Sequence, residues 1–184
     1  MKTLRLLITC IILLCVMNPA GARPWTSPGR TLTNHSVAFT NHMVVPMTNQ
    51  QYYDKLSGIC DTLYIIRKAL FNKILSVTPD KNWAALSAER QNLHGYCLRQ
   101  LAYLGKLPEV GKSGDFSYSL YILMESHRDL ENILKDFDGF TGDTPDDTVK
   151  ATFGKLTDNL KLIVSEHKEY FVEKNNYKKA YGLQ

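Results

Sequence analysis

The sequence predicts an all-α protein built as a bundle of four amphipathic helices. Four segments carry apolar residues at alternating steps of three and four, which place them on one face of a helix. No segment alternates apolar and polar residues between turn signals, as a half-buried strand would. Stripes that persist over about three heptads suit helices that pack nearly parallel to one another.

The first two helices are predicted at residues 49–75 and 86–104. The apolar stripe of the first comprises Leu56, Cys60, Leu63, Ile66 and Leu70. The stripe of the second comprises Leu86, Leu93, Cys97, Leu101 and Leu104. Both helices are therefore expected to bury one face and to expose most of their charged residues.

The third and fourth helices are predicted at residues 115–137 and 146–174, with the same stepped apolar pattern. His127 and His167 fall on these two stripes, so they could meet as buried, hydrogen-bonded side chains. The fourth helix has a clear start. Thr144 can cap it, Pro145 suits the first helical position, and the two acids that follow favour the positive end of the helix dipole.

The N-terminus carries the pattern of a secretory signal peptide at residues 1–22. Lys2 and Arg5 precede an apolar run over residues 6–17, and residues 20–22 supply the small side chains of a cleavage site. The run is shorter than the ~20 residues that span a bilayer, which makes a membrane anchor the weaker alternative. We expect a secreted, extracellular chain without membrane insertion.

Residues 23–48 are predicted to form an extended leader, because they contain several prolines and lack helical periodicity. Asn34 lies in the only Asn-x-Ser/Thr sequon of the chain and is a candidate glycosylation site. Residues 49–184 then form the helical domain.

Composition and motifs argue against catalysis. The 184 residues are 44% apolar and 22% charged, with a net charge of +4, which fits a globular protein and not a nucleic-acid-binding tail. The five histidines form no metal-binding motif, and there is no phosphate-cradling glycine loop or G-x-S-x-G motif. We expect no enzyme, cofactor, metal site or nucleic-acid partner. The basic stretch 174–179 is either a solvated helix end or a weak heparan sulfate contact.

Several short motifs resemble a known family. Residues 59–68, ICDTLYIIRK, are similar to the first helix of ciliary neurotrophic factor, and residues 83–90, WAALSAER, are similar to the entry of its second helix. Gly114-Asp115-Phe116 and Leu160-Lys161 match the third and fourth helices. The chain thus resembles the interleukin-6 family of helical cytokines, in the branch that also contains cardiotrophin and leukemia inhibitory factor.

The resemblance implies a long-chain bundle with up-up-down-down topology and long crossover connections. It also implies a secreted cytokine that clusters class I receptors of the glycoprotein 130 type, including the leukemia inhibitory factor receptor, and triggers JAK-STAT signalling. Two alternatives remain. One is another long-chain helical cytokine, and the other is a secreted helical carrier of a small apolar ligand.

The resemblance also implies candidate receptor contacts. In this branch a Phe, followed three residues later by a Lys, begins the fourth helix and contacts the leukemia inhibitory factor receptor. Phe153 matches the Phe, but Leu156 stands where the Lys belongs and Lys155 comes one residue earlier. Trp83 resembles a Trp near the alpha-receptor surface. For both aromatic residues, a role in the core is the alternative.

The first connection leaves the topology open. Only ten residues would separate helices at 49–75 and 86–104, and they could return along a bundle only if nearly fully extended. Thr78-Pro79-Asp80 looks like an early helix start that would make the link a hairpin, as in an up-down-up-down bundle. Neighbouring first and second helices would allow a Cys60–Cys97 disulfide, whereas the diagonal helices of the family would keep both thiols free.

Overall fold

The computed structural model describes residues 47–183, and every regular element in that range is helical. The four α-helices are α1 (Asn49–Val77), α2 (Ser87–Leu104), α3 (Gly114–Leu134) and α4 (Asp146–Ala180). Short 3-10 segments, Trp83–Leu86 and Lys135–Gly139, precede α2 and follow α3. The four predicted helices are confirmed. The signal peptide, Asn34 and the leader up to residue 46 lie outside the described residues.

Helix α1 begins with a reciprocal cap that its sequence encodes. The backbone N–H of Gln51 donates to Thr48 Oγ1 (3.2 Å), and the backbone N–H of Thr48 donates to Gln51 Oε1 (2.9 Å). This capping box satisfies two donors that the first helical turn leaves without partners. The helix therefore starts at a fixed position, one residue after Thr48.

Helix α1 ends later than the family resemblance would favour. It continues to Val77, and both the backbone N–H and the hydroxyl of Thr78 donate to Ile74 O. The chain then turns sharply, because Asn82 N donates back to Val77 O (3.2 Å) and Lys81 has a φ of +52°. Thr78 thus closes α1 and does not open a new helix.

Helix α4 begins at Asp146 as predicted, but its capping and its C-terminal end differ from the prediction. Pro145 is the N-cap residue, so it lies just outside the helix, while Asp146 and Asp147 occupy the first turn as predicted. The Thr144 hydroxyl accepts from Thr141 N (2.8 Å) and so stabilises the preceding turn. The helix runs to Ala180, beyond the predicted end at residue 174, because the buried Tyr177 anchors its last turns.

The helices surround one apolar core. Consecutive helices pack against one another along the chain, and α1 also contacts α3 and α4. Each buried Leu or Ile of this core contributes roughly 1.5–3 kcal/mol relative to an exposed one. The fully buried aliphatic and aromatic side chains include Tyr52, Leu56, Leu63, Leu70, Ile74, Leu86, Leu93, Phe116, Leu120, Leu123, Leu130, Leu134, Phe137, Leu156, Ile163 and Tyr170.

Aromatic rings close the core at the end where α1 begins. The Tyr52 ring lies 5.8 Å from the Tyr177 ring, and Phe116 lies 5.4 Å from the same ring. Tyr177 Oη is 3.2 Å from both Asn49 Oδ1 and Val110 O. The starts of α1 and α3 therefore meet the end of α4 and the connection before α3.

Hydrogen bonds from tyrosines join α1 to its neighbours. Tyr96 Oη of α2 donates to Ile59 O (2.8 Å), and Tyr170 Oη of α4 lies 3.5 Å from Leu56 O. Both carbonyls belong to α1, so the two contacts hold the middle of α1 between α2 and α4.

Candidate functional site

The start of α4, where sequence reasoning places receptor contacts, lies over a cluster of four aromatic rings. The Trp83 ring is 5.0 Å from Phe137 and 6.0 Å from Phe153. Phe137 also packs edge-on against Phe153 (5.2 Å) and Phe140 (5.2 Å). Edge-to-face pairs at these distances each contribute about 0.5–1.5 kcal/mol beyond the burial of their area. We call Trp83, Phe137, Phe140 and Phe153 the aromatic cluster.

The aromatic cluster buries two of the predicted contact residues. Trp83 and Phe153 are each 1% exposed. Both therefore act as core residues that join the segment before α2 to the start of α4. Direct contact between either ring and a receptor stays a prediction, and it would require this end of the molecule to open.

Lys155, the third predicted contact residue, lies on the surface. Its side chain is 63% exposed, and its Nζ lies 3.1 Å from Asp136 Oδ2. The next residue, Leu156, is buried, because one helical step turns a side chain by ~100°. Phe153 and Lys155 consequently do not share a face of α4.

The first turns of α4 also carry paired charges. Lys81 Nζ lies 3.1 Å from Asp146 Oδ1, and this pair joins the turn after α1 to the start of α4. Lys150 pairs with Asp147 (2.9 Å) one turn further along. Exposed pairs of this kind contribute little stability, typically below about 1 kcal/mol each. These charges are thus available to an incoming protein surface.

A buried ionic network that the sequence did not reveal ties α2 to the end of α3. Arg90 Nη2 lies 2.7 Å from Asp138 Oδ2, and Arg90 Nη1 lies 3.6 Å from Glu131 Oε1. Lys135 and His94 approach the other oxygen of Glu131, at 3.1 and 3.5 Å. Arg90 and Glu131 are both almost fully buried. Their opposite charges attract across the two helices, although Nε and Nη1 of Arg90 and Oε2 of Glu131 make no hydrogen bond among the described residues.

A polar layer crosses the middle of the core, formed by Arg67 of α1, His127 of α3 and His167 of α4. The two imidazole rings lie 6.5 Å apart, so the predicted meeting of the histidines is confirmed. Leu123 O accepts a hydrogen bond at 2.7 Å from His127 Nδ1, which leaves His127 Nε2 as a bare acceptor. Arg67 lies over the Tyr64 ring at 5.3 Å.

The histidines of the polar layer stay neutral. Burial, and secondarily the charge of Arg67, lowers the pKa of His127 to about 3 and that of His167 to about 4. The Nε2 atoms of both rings have no hydrogen-bond partner among the described residues. Protonating either ring would place a second cation beside Arg67 in the core.

The two cysteines of the helical domain are free and buried in the structure. Burial raises the pKa of Cys60 to about 11 and that of Cys97 to about 12. Because the thiolate is the reactive form, neither cysteine suits nucleophilic chemistry. The disulfide that the sequence left open is not formed here.

Residues 47–183 contain no group of three or more His, Cys, Asp or Glu side chains that could hold a metal ion. Within the same range, no helix is both long and apolar enough to cross a membrane.

Comparison of the chain with protein-family models, curated proteins and solved structures found no match.

Proposed function

We propose that the chain is a secreted helical cytokine that binds and clusters class I receptors of the glycoprotein 130 type and so triggers JAK-STAT signalling. The observation that carries the proposal is the placement of the family-like motifs on four long helices with a filled core. Residues 59–68 lie within α1, residues 83–90 form the entry to α2, and residues 160–161 lie within α4. A ligand of this kind works through its outer helix faces, not through a catalytic centre.

The surface at the start of α4 is the receptor contact that we favour. Lys155 presents an exposed amine beside Asp136, and two further ion pairs, Lys81–Asp146 and Lys150–Asp147, involve the first turns of the same helix. Trp83 and Phe153 support this surface from below, because they fix the segments that carry the charges. Rim charges of this type govern the rate and specificity of encounter more than affinity.

We infer that the helices follow an up-down-up-down path. Five residues, 78–82, separate α1 from the 3-10 segment before α2, and they can span roughly 20 Å. Helix α1, with 29 residues, is ~43 Å long, so this link is too short to return along it. The contact of Tyr96 with Ile59 supports the same path, because it makes α1 and α2 neighbours.

The inferred path differs from the up-up-down-down order of the interleukin-6 family. The short connection therefore favours a second candidate, another long-chain helical cytokine with different receptors. A carrier of a small apolar ligand has less support, because large aromatic and aliphatic side chains fill the described interior.

The decisive experiment measures STAT phosphorylation in cells that express defined combinations of class I receptors. We expect the purified secreted chain to activate STAT only where a glycoprotein 130-type chain is present. A response confined to other receptors would favour the second candidate. No response in any glycoprotein 130-containing combination would overturn the proposal.

A charge reversal tests the favoured surface. Lys155→Glu should weaken receptor binding at least tenfold while the thermal midpoint stays nearly unchanged, because an exposed pair contributes under about 1 kcal/mol. Lys179→Glu is the matched control, since Lys179 is exposed at the far end of the same helix. Equal binding by wild type and Lys155→Glu would remove Lys155 from the contact.

A further inference from the structure

The surface of α1 that points away from the other helices carries exposed apolar residues, and we call it the outer face of α1. At its centre Ile65 is 67% exposed, more than any other large apolar side chain among the described residues. Tyr64 and Leu75 are also exposed on this helix, at 43% and 37%. The outer face comprises Gly58, Asp61, Thr62, Ile65, Lys68, Ala69, Asn72, Leu75 and Ser76.

The outer face could be approached closely by another helix. Its members recur at steps of three and four over five turns, as in a helix seam. A side chain added at Gly58 would meet nothing within 4 Å, so the space above that turn is open. The outer face thus combines small residues (Gly58, Ala69, Ser76), two exposed aliphatic residues (Ile65, Leu75) and four polar or charged ones, a composition that a second helix with complementary charges could cover.

Only two members of the outer face are charged, and they lie at nearly equal distances on either side of Ile65. Asp61 lies one turn before Ile65 and Lys68 lies one turn after it, on the same flank of the seam. The two residues are seven positions apart, which places them ~10.5 Å apart along the helix axis. This distance is too long for an ion pair within one helix. Within residues 47–183, neither side chain makes an ion pair.

We propose that two copies of the chain associate through the outer face, with α1 of one copy antiparallel to α1 of the other. A two-fold axis that passes beside Ile65 brings Asp61 of each copy to Lys68 of the other, because a two-fold operation reverses the helix direction and keeps the flank. The two isoleucines then cover one another at the centre. A parallel pairing would instead place each residue at the same height as its own copy and on the opposite flank, so that no Asp61 would meet a Lys68.

The contact is expected to be weak. One helix face buries less than the ~1,600 Å² of a standard interface, so dimers should form in the micromolar range or above. The inference does not depend on the proposed function, since it rests only on the outer face of α1.

Sedimentation equilibrium of the purified chain over a wide concentration range tests the dimer. We expect a reversible monomer–dimer equilibrium that Ile65→Lys abolishes while the helical circular dichroism is unchanged. Asp61→Lys and Lys68→Asp should each weaken self-association at least ~10-fold, because each turns two attractive pairs into two like-charge contacts.

Mixing the two single variants gives the sharpest result. Each variant alone stays monomeric, but an Asp61→Lys chain and a Lys68→Asp chain together should form a heterodimer, since every pair between them is then opposite in sign. The double swap within one chain should restore the homodimer. Asp80→Lys and Lys106→Asp, two exposed loop sites with matching charge changes, should leave self-association unchanged.

Two results would overturn the proposal. One is a wild-type chain that remains monomeric at every concentration, which would leave the outer face of α1 to a different protein. The other is a dimer that neither the charge reversals nor the mixture affects, which would place the interface elsewhere.

Discussion

Phe153 contacts two other rings of the aromatic cluster, and its removal would leave a cavity in the core. We predict that Phe153→Ala lowers the free energy of unfolding by about 3–5 kcal/mol, measured by urea or guanidinium denaturation. Phe171→Ala is the control, because Phe171 is 44% exposed and its loss should cost under about 1 kcal/mol. A Phe153→Ala variant as stable as wild type, with weakened receptor binding, would assign the ring to the receptor contact instead.

The polar layer makes the protein sensitive to acid. Burial lowers the pKa of His127 to about 3 and that of His167 to about 4, from the ~6.5 that is usual for histidine. Below pH 6.5 the unfolded chain therefore binds more protons, and the free energy of unfolding falls as the pH falls. Each unit of pH costs ~1.4 kcal/mol per histidine until the folded pKa is reached. Chemical denaturation at a series of pH values from neutral downward measures this slope.

Substitution separates the two histidines from other acid-sensitive groups. His127→Leu and His167→Leu should each flatten the loss of stability below pH 6.5 relative to the wild type. Glu166 acts in the opposite sense, because burial raises its pKa and its contribution is lost as the pH rises. An acid dependence that persists unchanged in both leucine variants would contradict the assignment.

At the level of helices, the buried ionic network holds α2 against the end of α3. We predict that Arg90→Met destabilises the protein by about 3 kcal/mol or more, because it leaves Glu131 buried without its guanidinium partner. The double variant Arg90→Met with Glu131→Met should cost much less than the two single changes together. A double-mutant cycle on the free energy of unfolding gives this coupling, and strictly additive effects would show that the two side chains act independently.

Periodicity in the sequence was sufficient to locate all four helices, since each buries one continuous stripe. It missed the ionic network because charged residues are not counted in an apolar stripe. Arg90 occupies the buried face of α2 between Leu86 and Leu93, and its partner Glu131 lies 41 positions away, so no local pattern links them. It also could not separate a buried Phe153 from an exposed one, because the first two or three turns of a helix can lie over the core or extend beyond it. Lys155 was found, but its partner Asp136 comes from a 3-10 segment that no periodicity predicts.

At the scale of the whole molecule, Cys60 and Cys97 of the helical domain report on cooperative unfolding. We predict that a thiol reagent modifies neither Cys60 nor Cys97 in the native protein and modifies both in denaturant, because both side chains are buried and free. The measurement is a thiol titration of residues 23–184, which carry these two cysteines alone, under both conditions. A chain without free thiols in denaturant would show that Cys60 and Cys97 form a disulfide.

The connections between helices limit what the sequence alone could decide. Ten residues between the predicted first and second helices were compatible with either topology, and the extension of α1 to Val77 shortened that link. The extension depends on two hydrogen bonds that Thr78 donates to Ile74 O, one from its backbone N–H and one from its hydroxyl. The Thr-Pro-Asp triplet in the sequence predicts a helix start and gives no sign of these bonds. A helix boundary that depends on one or two hydrogen bonds therefore cannot be located from the apolar pattern of the sequence.

The C-terminal turn has a practical consequence for processing of the protein. Tyr181 Oη accepts from the backbone N–H of Lys112 (2.6 Å), 69 positions earlier, and a Cβ at Gly111 would collide with the same oxygen. A carboxypeptidase that trims the chain past Tyr181 would therefore release the loop between α2 and α3, although it never touches that loop. Trimmed and intact forms should differ in how readily an endoprotease cuts after Lys112, and a bulky C-terminal tag would disturb the same loop.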